Sequence, residues 1–434
     1  MNLEESLCYI EENGKFGIKL GLEKIAALLE ELGNPQDNLK FIHVAGTNGK
    51  GSVCHMLSAI LTKAGYITGM YTSPALESFN ERICLNDTCI DDQTLSEMAS
   101  RVRRACDTLV ARGSEHPTGF EIETAMAILY FYEKQAEICI MEVGMGGRLD
   151  ATNVIPAPLV AVIMGIDIDH ADYLGDTVGK IAAEKAAIIK AGSTVVVYPQ
   201  KPEAWESIAR AAEAVEAPVV HVAVDDLKPL DQSQWGQRFA YQRKGGIPGL
   251  KTFTLKLLGE HQQANCATVL TVIALLLDQG FQIQPTDIEE GLSSMVFPGR
   301  FEFLNQEPVI LIDGAHNPDG IGSFAKNIQT YFPDRLINLF FGMLADKDIQ
   351  KSLDLLIPLA TTIGTLTPDN ERALPGEAMS EFIKSAYGRE AKVWDTPEDA
   401  LASIDWTQKK AVNAFVGSLY MIGKVRTAYR HQKD

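Results

Sequence analysis

The chain has no run approaching the twenty apolar residues of a membrane span, no low-complexity tract, no internal repeat and no CxxC pair among its seven cysteines. Without long apolar runs a helical membrane span is excluded, and without a CxxC pair nothing points away from reduced cysteines. Cys8, Cys54, Cys84, Cys89, Cys106, Cys139 and Cys266 are scattered, and Cys54 and Cys139 fall in apolar segments, so reduced structural thiols are expected. Positive charge is also scarce: the net charge of −18 argues against nucleic acid or an anionic membrane as partner. It repels small anionic substrates too, so a local cationic or metal-lined pocket has to overcome the global field. Residues 1–14 are acidic and lack a sustained apolar core, unlike a targeting segment, and a cytoplasmic protein is expected.

What is present is a chain of 434 residues, enough for two or three compact domains. Strand-like apolar runs at 41–45, 67–71, 138–143, 159–164 and 194–198 alternate with helix-period segments, the pattern of a doubly wound α/β domain. In the segment 53–64, Val53, Met56, Leu57, Ile60, Leu61 and Ala64 form one stripe, as a helix packed on a sheet requires. Residues 202–256 read as irregular, ahead of a long apolar helix over 262–277. A second alternation follows Pro298-Gly299-Arg300, with strands expected at 309–312, 336–343 and 392–395, and the domain boundary is placed near Pro298.

The most informative stretch is Ala45-Gly46-Thr47-Asn48-Gly49-Lys50-Gly51-Ser52, which lies between a strand and a helix. Glycines let backbone N–H groups approach an anion, the helix N-terminus adds partial positive charge, and Lys50 reaches the outer phosphates of a nucleotide, ATP first of all. The spacing departs from the common loop, because Val44 stands six residues before Lys50 and Gly51 separates the lysine from Ser52; a shortened, specialised loop is implied. The competing reading is a Gly-rich turn without ligand.

Polar residues stand just past other strand ends, where open α/β sheets bind ligands. They are Thr72-Ser73-Pro74, Glu142, and Asp167, Asp169 and His170. This mixed set suits Mg²⁺, which needs few protein ligands when phosphates and waters complete its octahedron; taken singly, each is equally a turn or cap residue. Lys185 falls on the apolar stripe of the segment 178–189. Burial lowers a lysine pKa and leaves a neutral amine that takes up CO₂ as a carbamate, a carboxylate-like metal ligand. The alternative is a stem that snorkels to water.

Together these motifs resemble those of folylpolyglutamate synthase and its dihydrofolate synthase relatives, within the Mur-type amide ligases. The resemblance spans nearly the whole chain. It rests on 43–52, on Asn80-Glu81-Arg82-Ile83, and on Glu142-Val143-Gly144-Met145-Gly146-Gly147-Arg148-Leu149-Asp150-Ala151-Thr152-Asn153. Further matches are Glu184-Lys185-Ala186, His261-Gln262-Gln263-Ala264-Asn265, Asp313-Gly314-Ala315-His316-Asn317-Pro318 and Gly417-Ser418-Leu419-Tyr420.

The resemblance implies an N-terminal P-loop ATP-binding doubly wound domain, residues 1–297, and a smaller C-terminal Rossmann-like α/β glutamate ligase domain, residues 298–434. It implies a ligase in which a folate glutamyl carboxylate attacks the γ-phosphate of ATP and the amine of L-glutamate displaces phosphate. Gly46, Thr47, Asn48, Gly49, Lys50, Gly51 and Ser52 would hold the phosphates, and Ser73, Glu142 and His170 would bind Mg²⁺. Lys185 matches the family's carbamylated lysine, Asn265 and Arg300 match nucleotide contacts, Asp313 lies near the ribose, and His316 lies at the incoming glutamate. Arg300 would neutralise developing phosphoryl charge, in line with phosphoryl transfer as a matter of alignment and electrostatics.

Two departures bear on this. Ala75 stands where the family usually has histidine, which leaves pterin-side specificity open, and Asp167 stands where it usually has glycine, either tuning the metal site or capping a turn. Whether dihydropteroate is also an acceptor stays open, as do a muramyl-peptide acceptor and, in a different class, a nucleotide switch or plain ATPase. A monomer is expected.

Overall fold

The structure, a computed structural model, describes residues 1–14, 21–168 and 174–432. The chain divides into two compact units. The first comprises Met1–Asp231, Arg238–Leu255 and Gln262–Met295; the second comprises Gln232–Gln237, Lys256–His261 and Val296–Asp434.

The first unit is built on an eight-stranded sheet of β1 (Phe41–Ala45), β2 (Thr68–Tyr71), β3 (Ile83–Leu85), β4 (Thr88–Cys89), β5 (Ile138–Glu142), β6 (Val160–Ile163), β7 (Thr194–Val197) and β8 (Val219–His221). Their order is β4-β3-β2-β5-β1-β6-β7-β8. The pairings across β2-β5-β1-β6-β7-β8 are all parallel, and only β3, near one edge, runs against the others, antiparallel to both β2 and β4. Every residue of β1 and β5 is buried, the near-continuous apolar run that a parallel strand covered on both faces needs. β1 sits between β5 and β6 with β2 beyond β5, so the chain reverses its direction of sheet growth at β1, and its carboxyl end is the place for a ligand.

Helices start where capping chemistry permits. Thr118 and Glu121 form a reciprocal capping box for Gly119–Glu133, and Thr177 accepts from the Lys180 N–H to start Val178–Ala186. That second helix ends sooner than the apolar stripe to Ile189 suggested. Residues 202–256, expected to be irregular, contain the helix Pro202–Ala214, β8, and a separate antiparallel sheet of β9 (Leu227–Ser233), β10 (Gly236–Tyr241) and β11 (Thr252–Leu255). β9 is exposed along nearly its whole length, so it carries no apolar alternation to read.

The second unit holds a six-stranded sheet of β12 (Glu302–Gln306), β13 (Val309–Asp313), β14 (Ile337–Phe341), β15 (Thr362–Thr365), β16 (Lys392–Val393) and β17 (Val412–Val416). The order β12-β13-β17-β14-β15-β16 puts the last strand at the centre, parallel to both neighbours. Phe340 lies opposite Phe415 in that register, the rings stacked 4.3 Å apart at 9°. Phe415 is fully buried. Phe415→Ala is expected to destabilise the protein by about 3–5 kcal/mol, from the lost transfer energy and the cavity left behind, read as a lower denaturation midpoint.

Candidate active site

The chain leaves β1 at Ala45 and enters the helix Lys50–Lys63 at Gly49, which is in the left-handed region (φ 85°). A Cβ there would come within 2.7 Å of Asn265 Oδ1, so the position needs glycine for both its conformation and its space. The same contact sets Asn265 beside the phosphate loop, although the two are far apart in sequence. Asn265 Nδ2 donates to Gln262 Oε1 at 3.0 Å, and Gln262 Nε2 donates to the buried Ser52 Oγ at 3.2 Å.

Two lysines converge on this loop. Lys50 Nζ donates to the Gly46 carbonyl at 3.1 Å and to that of Thr47 at 3.4 Å, and it lies 3.8 Å from Glu142 Oε1. Lys185 Nζ donates to the same Gly46 carbonyl at 2.9 Å. Lys185 is 5 % exposed, so its stem does not snorkel to water. Its helix is brought in by Gly147, where a Cβ would lie 2.7 Å from the Glu184 carbonyl and 3.0 Å from that of Lys185. Arg148 clamps the approach, with its N–H on the Glu184 carbonyl at 2.9 Å and its Nε on Glu184 Oε1 at 3.0 Å.

Glu142 ends β5, is 5 % exposed, and accepts the Ser73 N–H on Oε2 at 3.3 Å. Ser73, Glu142 and Lys50 therefore form one neighbourhood at the carboxyl ends of β2, β5 and β1. His170 and Asp169 lie outside the described residues. The Asp167 carboxylate accepts from the Ile168 N–H at 2.9 Å and pairs with Lys201 at 2.9 Å. Its backbone exchanges hydrogen bonds with the Thr47 hydroxyl.

Sequence reasoning passed over a buried network behind the loop. His43 on β1 contacts Thr152 Oγ1 through Nε2 at 2.9 Å, and Thr152 donates to Asp150. Asp150 also accepts the Met145 N–H at 2.8 Å. The phosphate-loop strand and the Gly-rich turn after Glu142 are thereby tied through three side chains. The available signal was a histidine inside an otherwise apolar strand.

Burial, with Lys190 nearby, holds the His43 imidazole down to about 3, against an ordinary 6.5. Between those values the unfolded chain binds a proton that the folded one does not, so stability falls as pH drops below about 6.5. His43→Gln is expected to flatten the acid side of a denaturation-against-pH curve by up to about 1.4 kcal/mol per pH unit.

In the second unit Asp313 ends β13. Its Oδ1 accepts the Ala315 N–H at 2.7 Å and its Oδ2 accepts the Phe301 N–H at 2.8 Å. Burial raises its pKa, with Arg300 and these two N–H groups pulling the other way. The Arg300 guanidinium lies 5.4 Å over the Phe297 ring. His316 Nδ1 donates to the Gly314 carbonyl at 2.8 Å, and Asn317 caps the helix Pro318–Tyr331. His261 sits near Arg300, and burial followed by that cation holds its imidazole down to about 4. Arg300, Asp313 and His316 thus occupy one end of the second sheet.

The Mur ligase middle domain family model matches residues 44–273, and the Mur ligase, glutamate ligase domain model matches residues 299–419. Folylpolyglutamate synthase from Lacticaseibacillus casei is 34 % identical over 431 residues, covering 98 % of each chain. The chain belongs to the folylpolyglutamate/dihydrofolate synthase family of Mur ligases. The Bacillus subtilis dihydrofolate synthase/folylpolyglutamate synthase is 33 % identical, again covering 98 % of each chain. Among solved structures, Thermotoga maritima folylpolyglutamate synthase superposes with a TM-score of 0.85 at 32 % identity, covering 99 % of this chain and 97 % of that one. The Mycobacterium tuberculosis folylpolyglutamate synthase complexed with ADP and AMPPCP also gives 0.85, at 30 % identity and 99 % of both chains. This chain is an ATP-dependent ligase of that family, with the doubly wound α/β fold its motifs implied.

Proposed function

We propose that this ligase adds L-glutamate to the glutamyl carboxylate of a tetrahydrofolate, and to dihydropteroate, through an acyl phosphate. The observation that carries the reading is the meeting of Lys50, Lys185, Ser73 and Glu142 around the loop 45–52. A switch or plain ATPase needs no buried second lysine there, and a muramyl-peptide acceptor has no observation in its favour. Curated relatives named for both folate activities support including dihydropteroate.

The residues fit Mg²⁺. Among the described residues no three His, Cys, Asp or Glu side chains form a metal cluster, and one buried carboxylate beside one serine is the sparse set that Mg²⁺ takes when phosphates and water supply the rest. Ser73, Glu142 and His170 would hold the ion, with Lys185 as a carbamate in support, and the ion would neutralise phosphate charge. Gly46, Thr47, Asn48, Gly49, Gly51 and Ser52 form the phosphate cradle at a helix N-terminus, although the Thr47 N–H itself donates to the Gly165 carbonyl at 2.9 Å. Lys50 exchanges its loop carbonyls for the outer phosphates, and Asn265 contacts the nucleotide.

The acceptor carboxylate oxygen attacks the γ-phosphorus, and the bond to the ADP oxygen breaks. The glutamate amine then attacks the acyl carbon and expels phosphate, losing one proton as the amide forms. Arg300 offsets the developing phosphoryl charge, Asp313 holds the ribose, and His316 holds the incoming glutamate. We assign residues 1–297 to ATP binding and 298–434 to glutamate ligation, in a cytoplasmic monomer.

Phosphate release tests this reading. It is expected to require the pteridine acceptor and the amino acid together; release at full rate with ATP and Mg²⁺ alone would make the protein an ATPase and end the ligase assignment.

A further inference from the structure

Cys84 and Cys89 occupy directly opposed positions of the hairpin formed by β3 and β4. Their sulfurs are 3.7 Å apart. The Ile90 N–H bonds the Ile83 carbonyl at 2.9 Å, which makes Cys84 and Cys89 the adjacent non-hydrogen-bonded pair. There opposed Cα atoms sit about 4.5 Å apart, inside the roughly 4.4–6.8 Å span that a disulfide bridges.

The hairpin is locked against slippage. Asn86 and Asp87 at its tip both have positive φ, 51° and 61°, as a type I′ turn requires. Asn86 Oδ1 accepts the Thr68 N–H at 2.8 Å, and Asp87 accepts from the Ser58 hydroxyl at 2.7 Å. The two thiols differ in access, since Cys89 is exposed on a two-residue edge strand and Cys84 is buried. Held face to face, one outside and one inside, they have the arrangement of an entry thiol and a resolving thiol.

We propose that this hairpin is a redox modification site, whose dithiol reacts with a small disulfide oxidant such as oxidised glutathione to give a reversible Cys84–Cys89 disulfide. The Cys89 thiolate attacks one sulfur of the oxidant, a mixed disulfide forms, and the first glutathione thiolate leaves and takes up the proton shed by Cys89. The Cys84 thiolate then attacks Cys89 Sγ and expels the second glutathione, which takes up the Cys84 proton. The protein dithiol is oxidised by two electrons and the oxidant is reduced to two thiols. The chemistry of the pair favours this order. The hydrogen bond from Cys84 lowers the Cys89 thiol to about 7, although partial burial opposes the shift, so Cys89 ionises first.

Cys84 also contacts a residue that holds the backbone following Ser73. The Cys84 thiol faces the Glu81 carbonyl at 3.4 Å, a contact that the disulfide removes. Glu81 in turn accepts the Leu76 N–H at 2.7 Å and the Glu77 N–H at 3.2 Å through its carboxylate. The dithiol chemistry does not depend on which acceptor the ligase takes.

The test is mass mapping of the folded full-length enzyme, equilibrated with oxidised and reduced glutathione and then alkylated. We expect the peptide bearing both residues to lose two hydrogens at the oxidising end, to regain them with dithiothreitol, and to do so while Cys8, also exposed, forms no internal bridge. Cys89→Ser, a change on the exposed edge strand, is expected to leave Cys84 unmodified, and Cys84→Ser to leave a lasting glutathione adduct on Cys89. Two alkylatable thiols in the oxidised wild type would overturn the proposal. So would a mixed disulfide at Cys89 that never resolves.

Discussion

Lys185→Ala is expected to lower the ligase rate by about 10²- to 10³-fold, and formate or acetate is expected to restore part of it. Lys185 is buried and its Nζ lies 2.9 Å from the Gly46 carbonyl, at the base of the phosphate loop. A carbamate on that nitrogen would place a carboxylate beside the cradle, and a small carboxylic acid in the space left by the truncated side chain supplies the same group. The substitution spares the fold, because the close approach of Gly147 is to the backbone of residues 184 and 185, which alanine keeps. Lys185→Arg separates the two meanings of the lysine. Arginine keeps the positive charge but forms no carbamate, so a carbamate role predicts an inactive arginine variant, whereas a simple cation role predicts a partly active one. Failure of every short acid to rescue the alanine variant would remove the carbamate from the account.

Lys50→Ala is expected to cost a similar factor, about 10²- to 10³-fold, but with a different signature. The lysine meets charge that builds on the transferring phosphoryl group, so the loss falls on kcat more than on ATP affinity, and no carboxylic acid restores it. Its present partners are the Gly46 and Thr47 carbonyls and, at 3.8 Å, Glu142. Removing the ammonium leaves Glu142 without that nearby cation, so the variant is also expected to change its Mg²⁺ dependence. Phosphate release at saturating ATP, together with nucleotide titration of the same variant, reads both effects. An unchanged kcat would take Lys50 out of the chemistry.

Much of this was legible in the residues. The parallel strands β1, β2, β5, β6 and β7 are largely apolar runs because both of their faces are covered, and such runs are visible without a structure. Lys185 stood out because a lysine interrupts the apolar stripe of its helix. The strand β9 escaped notice for the opposite reason: it is exposed after its first residue, so it has no buried face to set a period.

The polar core was harder still. Glu123 lies in the largely buried helix Gly119–Glu133, and its ion pair with Arg82 and the 3.4 Å hydrogen bond from Tyr71 join residues from three separate elements. Partners that distant in sequence are set by the fold and by no local pattern. The same holds for Asn265, whose place beside Gly49 depends on a helix entering more than two hundred residues later. The resemblance pointed to that asparagine; local spacing did not.

The central claim is that an acyl phosphate connects ATP to the new amide, and oxygen transfer tests it most directly. A tetrahydrofolate labelled with heavy oxygen in its glutamyl carboxylate is incubated with the enzyme, ATP, Mg²⁺ and glutamate, and the released phosphate is weighed by mass spectrometry. The account predicts one labelled oxygen in each phosphate released, because the attacking carboxylate oxygen leaves with phosphorus when the amine displaces it. Unlabelled phosphate alongside a lengthened glutamyl chain would contradict the acyl phosphate and require another route from ATP to the amide.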